Sequence, residues 1–249
     1  MPSRRRADAT PLRLLSINVH KGMSAWHRRF VLAELREAVR STGADVVCLQ
    51  EVIGLGGQDA GGVPHYEFLA DTLWPQYAYG RNAVYPEGHH GNALLSRFPI
   101  RAWHNHDASV HGSEPRGLLH CTLEPPGFGT LHVICVHLGL GEAQRRHQVD
   151  ALARLVRAEV PAGEALVVAG DFNDWRRRGD PVVRRDCGVE SAFASVGDGC
   201  PRTFPARLPL LPLDRIYQRG LDVVSACVLS ARPWPHLSDH LPLLVEVRP

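Results

Sequence analysis

Several apolar runs of this chain end in residues able to do chemistry. LRLLSIN ends at Asn18, DVVCLQE at Gln50 and Glu51, LHVICVH at His137, and ALVVAGDFN at Asp171 and Asn173. Farther on, LDR supplies Asp214, and SDH supplies Asp239 and His240. Glu51, Asp171, Asp214 and Asp239, with the amides of Asn18 and Asn173, make an oxygen-rich set that suits a hard cation such as Mg2+ or Mn2+. With His137 and His240 added, the set suits hydrolysis at phosphorus. The metal neutralises phosphate oxygens, a carboxylate activates water, and a cationic imidazole stabilises developing charge. Asp239, next to His240, is expected to raise the imidazole pKa and keep it protonated near neutral pH.

Such residues need rigid carriers. The four runs are short and rich in Val, Ile and Leu, so they read as buried strands. Further strands are expected over 91–96, 100–106, 117–123, 213–217, 223–229 and 243–247. Residues 30–40 read as a helix with Val31, Leu35, Ala38 and Val39 on one face, stopped near Gly43. Residues 142–160 read as a second, with Val149, Leu152, Ala153 and Val156 on one face and Arg145, Arg146, Arg154 and Arg157 elsewhere, ended by Pro161 and Gly163. Roughly ten strands with only a few helices predict two packed sheets with helices outside them. An eight-fold βα barrel is the alternative, but successive strands are often too close for intervening helices. Loops are expected at 54–64, 86–90, 174–181 and 197–212.

The bulk composition sets limits. At 249 residues, 44% hydrophobic and 22% charged, the chain reads as soluble and globular, with ample length for a large core. Its longest apolar runs, such as 165–169, are too short to span a bilayer. MPSRRRADAT has no signal-type apolar stretch behind it, so residues 1–10 read as a disordered basic tail, 11–249 as a single domain, and the protein as cytoplasmic and monomeric. A net charge of +2 excludes a global field of the kind strong DNA binders often carry. No cysteine pair has C-x-x-C spacing, which argues against a zinc ribbon. Cys48, Cys121, Cys135 and Cys227 sit in apolar runs, as buried free thiols do.

The motifs are more specific in combination. SINVHKG (16–22), LQEV (49–52), GNALLSRFPI (91–100), VHLGL (136–140), GDFND (170–174), LDRIY (213–217) and SDHLPL (238–243) occur in this order. LQE or SDH alone means little, but GDFN followed by SDH is a strong signal, and the ordered blocks span nearly the whole chain. The sequence resembles the endonuclease/exonuclease/phosphatase family, whose members resemble deoxyribonuclease I. The resemblance implies a four-layer α/β sandwich: two mixed β-sheets packed face to face, helices on the outside, and a site at one edge of the sheets. It also implies a Mg2+-dependent phosphoric ester hydrolase (nuclease, phosphodiesterase or phosphatase), and it implies roles. Glu51 resembles the principal metal ligand, and Asn18 the amide that supports metal and phosphate. Asp171 resembles the carboxylate that orients or deprotonates the attacking water, and Asn173 its partner on the phosphate. His240 resembles the histidine on the scissile phosphate, and Asp239 the carboxylate that fixes it or touches the metal. His137 resembles a second phosphate ligand or leaving-group acid, and Asp214 the acid that positions a histidine or the metal. Arg116, in EPRGLL, matches a phosphate-facing arginine less closely.

Other features point less sharply. Arg176, Arg177 and Arg178 directly follow GDFNDW, so they either line the cleft mouth and bind an anionic group, Arg176 first, or form a solvated loop. TFPARLPLLPLDR (203–215) either packs back on the core, the favoured reading, or touches a lipid-like substrate. GLGGQDAGG lacks the lysine-serine ending of a P-loop and reads as a flexible rim. His89 and His90 read as solvated loop residues, and His20 either contacts phosphate or does not. His104, His106, His111, His120, His132 and His147 carry no assignment. The expected substrate is therefore a nucleic acid or a phospholipid-type small phosphoester. The rival from another class, a binding module that kept the fold and lost catalysis, should lack one of Glu51, Asp171, Asn173 or His240, and none is missing.

Overall fold

The computed structural model describes residues 10–24, 29–55, 62–70, 74–197 and 199–249. The tail expected over 1–10 lies almost wholly outside the described residues, as does most of the glycine-rich segment 54–62. The strands are β1 (Leu12–Asn18), β2 (Val46–Leu55), β3 (Gln76–Tyr85), β4 (Gly88–Ser96), β5 (Ile100–Asp107), β6 (Gly117–Leu123), β7 (Leu131–His137), β8 (Ala165–Asp171), β9 (Glu190–Ser191), β10 (Asp214–Arg219), β11 (Asp222–Val228) and β12 (Leu243–Arg248). The helices are α1 (Leu32–Ser41), α2 (His65–Ala70), α3 (Glu142–Glu159), α4 (Asp180–Cys187), α5 (Ala192–Ser195) and α6 (Trp234–Leu237).

The strands form two six-stranded sheets, in the orders β11-β12-β1-β2-β4-β3 and β5-β6-β7-β8-β10-β9. Each is mixed: β1 runs parallel to β2 and β7 parallel to β8, while the remaining pairs are antiparallel. The sheets pack face to face, and helices cover their outer faces, giving the expected four-layer α/β sandwich.

Strand parity builds the layers, because successive side chains point to opposite faces. Leu12, Leu14, Val46, Cys48, Leu131, Val133, Cys135, Val167 and Ala169 fill the space between the sheets. Their neighbours face outward. Leu15, Ile17 and Val47 pack with Leu35 and Val39 of α1, and Ile134, Val136, Leu166 and Val168 pack with Leu152 and Val156 of α3. Each leucine fully removed from water contributes about 2 kcal/mol, so this double alternation dominates the folding energy.

Several sequence expectations need correction. Residues 76–85 form β3, whose alternation is blurred by exposed tyrosines, and 86–90 is not a loop because β4 begins at Gly88. His90 is buried in that strand, and His89 Nδ1 lies 2.9 Å from the Tyr79 hydroxyl. Neither is a solvated loop residue. The loop expected over 174–181 gives way at Asp180 to α4, with a proline in its first turn and Gly188 in the left-handed region at its end. Arg145 is buried rather than on the open side of α3, because its guanidinium caps the Gly139 carbonyl at 3.1 Å. Cys48, Cys121 and Cys135 are buried free thiols, but Cys227 is exposed on the edge strand β11. No helix among the described residues is long and apolar enough to cross a membrane.

Candidate active site

The inner row of side chains continues past the apolar core to one edge of the sandwich, where it turns polar. Asn18 ends β1, His137 ends β7, Asp171 ends β8, and Asp214 begins β10. Register sets them side by side: Asp171 is the cross-strand partner of His137 on one side and of Asp214 on the other. The first sheet supplies Asn18, whose Nδ2 lies 3.3 Å from Glu51 Oε1 and 3.3 Å from Asp171 Oδ2. One amide therefore bridges the sheets.

Glu51 reaches this seam through an irregularity. The β2–β4 register shifts between Leu49 and Val52, and Glu51 has φ +56°. A bulge of this kind re-aims a side chain that regular pleating would turn away. Among the described residues, five non-glycines have positive φ, and four of them, His20, Lys21, Glu51 and Asn173, lie at this edge. Such strain persists where surrounding structure over-determines it, and it clusters at functional sites. Gly170 meets a related demand. Its φ is +145°, and a Cβ there would lie 1.9 Å from the Val136 carbonyl oxygen, so only glycine lets β8 deliver Asp171 beside β7.

His240 arrives from the loop before β12. Ser238 Oγ donates to the Asn18 carbonyl at 2.6 Å and accepts from the His240 amide at 3.2 Å, fixing this loop to β1. The His240 ring then crosses to the second sheet, with Nδ1 2.8 Å from Asp214 Oδ2 and Nε2 3.8 Å from Asp171 Oδ2. Burial acts to lower the His240 pKa, but Asp214 and then Asp171 outweigh it and raise it to about 10. The carboxylate that clasps the ring is thus Asp214, 26 residues distant in sequence, and not the adjacent Asp239. Asp239 adds only a small raising effect; its Oδ1 lies 3.8 Å from His20 Nδ1 at the more open side.

Burial pushes Asp171 the other way for an acid, up to about 7, with His240 opposing and Asp214 reinforcing. Its Oδ1 accepts the Asn173 amide at 2.8 Å, while Asn173 Nδ2 donates to the Leu138 carbonyl at 2.9 Å. His137 is held well below the ordinary imidazole range by burial and by Arg116. Its 3.5 Å approach to Asp171 Oδ2 is therefore a contact of a neutral ring and not an ion pair.

Arg116 is buried at this edge, with Nη1 3.5 Å from His137 Nδ1 and 3.3 Å from Glu114 Oε1. Its Nε is shielded and makes no hydrogen bond. Sequence reasoning missed Glu114 and His90 behind it. His90 Nε2 lies 3.1 Å from Glu114 Oε1, and chiefly this contact lowers Glu114 to about 2. The signal was Glu114 two residues before Arg116, but the pairing with β4 is tertiary. Arg176 is not drawn into the cluster; it stacks over exposed Trp175 at 4.5 Å. Arg177 approaches Asp180, and Arg178 holds Glu142.

The donor set fits a hard cation. Asp171 and Asp214 are buried together with Glu51 close by, and no lysine or arginine among the described residues forms a salt bridge with any of the three. Asp171, Asp214 and His240 also lie close enough to hold an ion. Asp214 and Asp171 raise the His240 pKa, which favours a donor role over ligation. Glu51, 21% exposed with room for coordinated water, is the better anchor. Two clefts of about 330 and 520 Å³ flank α3 and α4 on the outer face. The first is lined by Glu142, Asp150, Asp174 and Asp186, but neither joins carboxylates to histidines as the seam does.

The profile of the endonuclease/exonuclease/phosphatase family matches residues 15–240. The chain belongs to that family. Members of it are generally metal-dependent phosphoester hydrolases. The chain is 51% identical over 242 residues to the uncharacterised protein YbhP of Escherichia coli (strain K12), covering 94% of this chain and 95% of that one. Its fold is similar to that of an endonuclease/exonuclease/phosphatase from Beutenbergia cavernae, with TM-score 0.80, 19% identity, and 96% of this chain and 72% of that one covered. It is similar as well to D. rerio TDP2 complexed with a single-strand DNA product, with TM-score 0.70, 18% identity, and coverage of 96% and 99%.

Proposed function

We propose that this chain hydrolyses a phosphodiester or phosphomonoester with Mg2+ or Mn2+, by in-line attack of an activated water at phosphorus. The observation that carries this reading is the Asp214–His240 clasp set against Asp171. An imidazole whose pKa is raised by Asp214 and Asp171 and a carboxyl whose pKa is raised by burial face each other across 3.8 Å at the seam. Groups with pKa values driven apart by their surroundings are the usual sign of divided acid and base roles.

In this reading Asp171 orients the water and takes its proton, held in place by the Asn173 amide. His240 Nε2 donates to a phosphoryl oxygen and stabilises the added charge. Arg116, beside His137 at this edge, takes a second phosphoryl oxygen. Neutral His137 hydrogen-bonds the leaving group's side. Glu51 and Asn18, with Asp239 at the open side, would hold the cation. When bound, it supplies neutralising charge for phosphate oxygens.

The rim favours a substrate with an aromatic or apolar group beside the phosphate. Trp175 is half exposed and stacked with Arg176, an arrangement suited to a nucleobase and its backbone. Leu208 and Leu210, at the tip of the Pro/Leu segment, are exposed at 66% and 52%, while Thr203, Ala206 and Leu213 of that segment pack inward. This supports a phospholipid-type substrate as a second reading.

Assay of purified protein with Mg2+ on plasmid DNA, abasic-site DNA, phospholipid vesicles and bis-p-nitrophenyl phosphate tests the proposal. Salt-sensitive DNA cleavage supports the first substrate class, and inertness on DNA with vesicle hydrolysis supports the second. No hydrolysis of any of them with Mg2+ or Mn2+ overturns the reading.

A further inference from the structure

The outer face of the second sheet carries another polar cluster, built from residues for which the sequence offered no role. His106 on β5, His120 on β6 and His132 on β7 stand together where α3 ends. Glu159, the last residue of α3, and Glu164, just before β8, close over them. His132 and His137 occupy the same strand five residues apart, a span of about 16 Å, so this cluster is remote from the seam.

Its hydrogen bonds join the residues in a chain. His132 Nε2 lies 2.6 Å from Glu164 Oε2. Two acceptors do not share that distance, so Nε2 carries hydrogen and donates to the carboxylate. His132 Nδ1 lies 2.8 Å from His120 Nε2, and in the tautomer in which His132 donates only to Glu164, His120 Nε2 is the donor. In that tautomer His120 Nδ1 presents a lone pair, and it faces Glu159 Oε2 at 3.3 Å. The same carboxylate oxygen lies 3.4 Å from His106 Nε2, a shielded ring nitrogen that makes no hydrogen bond. Two ring nitrogens and one carboxylate oxygen therefore converge on one point.

We propose that His106 Nε2, His120 Nδ1 and Glu159 Oε2 bind a first-row divalent transition ion, with His132 and Glu164 orienting His120 from behind. Their three ligand atoms lie within 4.8 Å of one another. The two distances to Glu159 match the edge of a tetrahedron with metal–ligand bonds of about 2.0–2.1 Å, which is about 3.3 Å. Two imidazoles and one carboxylate select borderline ions such as zinc or cobalt over magnesium. The Glu164–His132–His120 relay is the outer-shell arrangement that fixes a ligand's tautomer and raises its basicity. Burial lowers the pKa of both His106 and His120, leaving them neutral as ligands must be. A cleft of about 260 Å³ beside His106, Asp107, Leu118, Arg154 and Glu159 gives access from solvent and leaves a coordination position open. The ion would tie the edge strand β5 and its neighbour β6 to the end of α3.

Equilibrium dialysis of chelator-treated full-length protein against Zn2+, with excess Mg2+ present, tests this directly. We expect one zinc per chain in the wild type and in Glu51→Gln, and its loss in His106→Ala and Glu159→Gln, both at partly exposed positions that the fold tolerates. His132→Gln should weaken zinc about 10- to 100-fold. Cobalt should give a visible d–d absorption that disappears in His106→Ala, and zinc should raise the melting temperature of the wild type but not of that variant. Zinc bound equally by wild type, His106→Ala and Glu159→Gln would overturn the assignment. So would wild-type affinity weaker than about 1 mM, which would mean the cluster is closed by a proton alone.

Discussion

β7 carries a histidine at each end, and the two sit in opposite surroundings. His137 continues the inner row and ends at the seam, among the oxygens of Glu51 and Asp171, with Arg116 behind it. His132 belongs to the outer row and meets mostly nitrogen: His120 beside it, His106 one strand farther, and single oxygens from Glu159 and Glu164. The seam thus gathers mainly oxygen donors beside an imidazole whose pKa is raised, and the outer cluster mainly ring nitrogens, with burial lowering the pKa of His106 and His120. One strand serves both because its pleat sends odd and even residues to different layers. A polar residue's chemistry here depends on which layer its parity selects, more than on its type.

The sharpest way to break this comparison is by activity. Asp171→Ala and His240→Ala should each lower kcat about 100-fold or more on bis-p-nitrophenyl phosphate with Mg2+, whereas His106→Ala should leave kcat within twofold. Equal losses in all three would erase the distinction between the two regions.

Asp214→Asn should come next. It removes the carboxylate that clasps buried, charged His240, and breaking a buried pair costs about 3–5 kcal/mol. The sign follows from the raised imidazole. Its contribution to stability is complete below the unfolded value of about 6.5 and is lost as pH rises through about 10. Urea midpoints of wild type and variant should therefore differ most near pH 6 and converge toward pH 10. A gap that widens with pH would show that His240 is not held charged.

Gly170→Ala should cost several kcal/mol, because its Cβ meets the Val136 carbonyl at 1.9 Å in a positive-φ conformation. Thermal melting measures it. Glu51→Gln should raise the Mg2+ concentration needed for half-maximal rate about tenfold, equivalent to about 1.4 kcal/mol, without changing zinc uptake by the outer cluster. The smallest effect belongs to Arg176→Ala. Exposed and stacked on Trp175, it should raise KM for a DNA substrate less than threefold and flatten the salt dependence by about one charge.

Much of the fold was legible because it rests on short-range pattern. The runs at 12–18, 131–137 and 165–171 are near-continuous apolar stretches, which is how strands buried on both faces read, and α3 has an uninterrupted helical stripe. β3 escaped because its tyrosines and arginine expose one face without clean alternation, and α4 because its proline and three flanking arginines look like loop chemistry. At the seam, the types of Glu51, Asp171, Asn173 and His240 were readable. The partner of His240 was readable only through the resemblance, which offered Asp214 as the acid positioning a histidine or the metal: adjacency favoured Asp239, but the ring turns toward Asp214 on the other sheet.

The sequence alone determined the layers, through residue-by-residue alternation, and the inventory of donors at the strand ends, through the residue that stops each apolar run. Tertiary structure decided which donors pair. Register across β7, β8 and β10, the bulge at Glu51 and the close approach permitted by Gly170 are long-range events, and local pattern carries no information about them. The same holds for His106, His120 and His132, which are scattered single residues along the chain and become a cluster only because three strands and the end of one helix meet on one face.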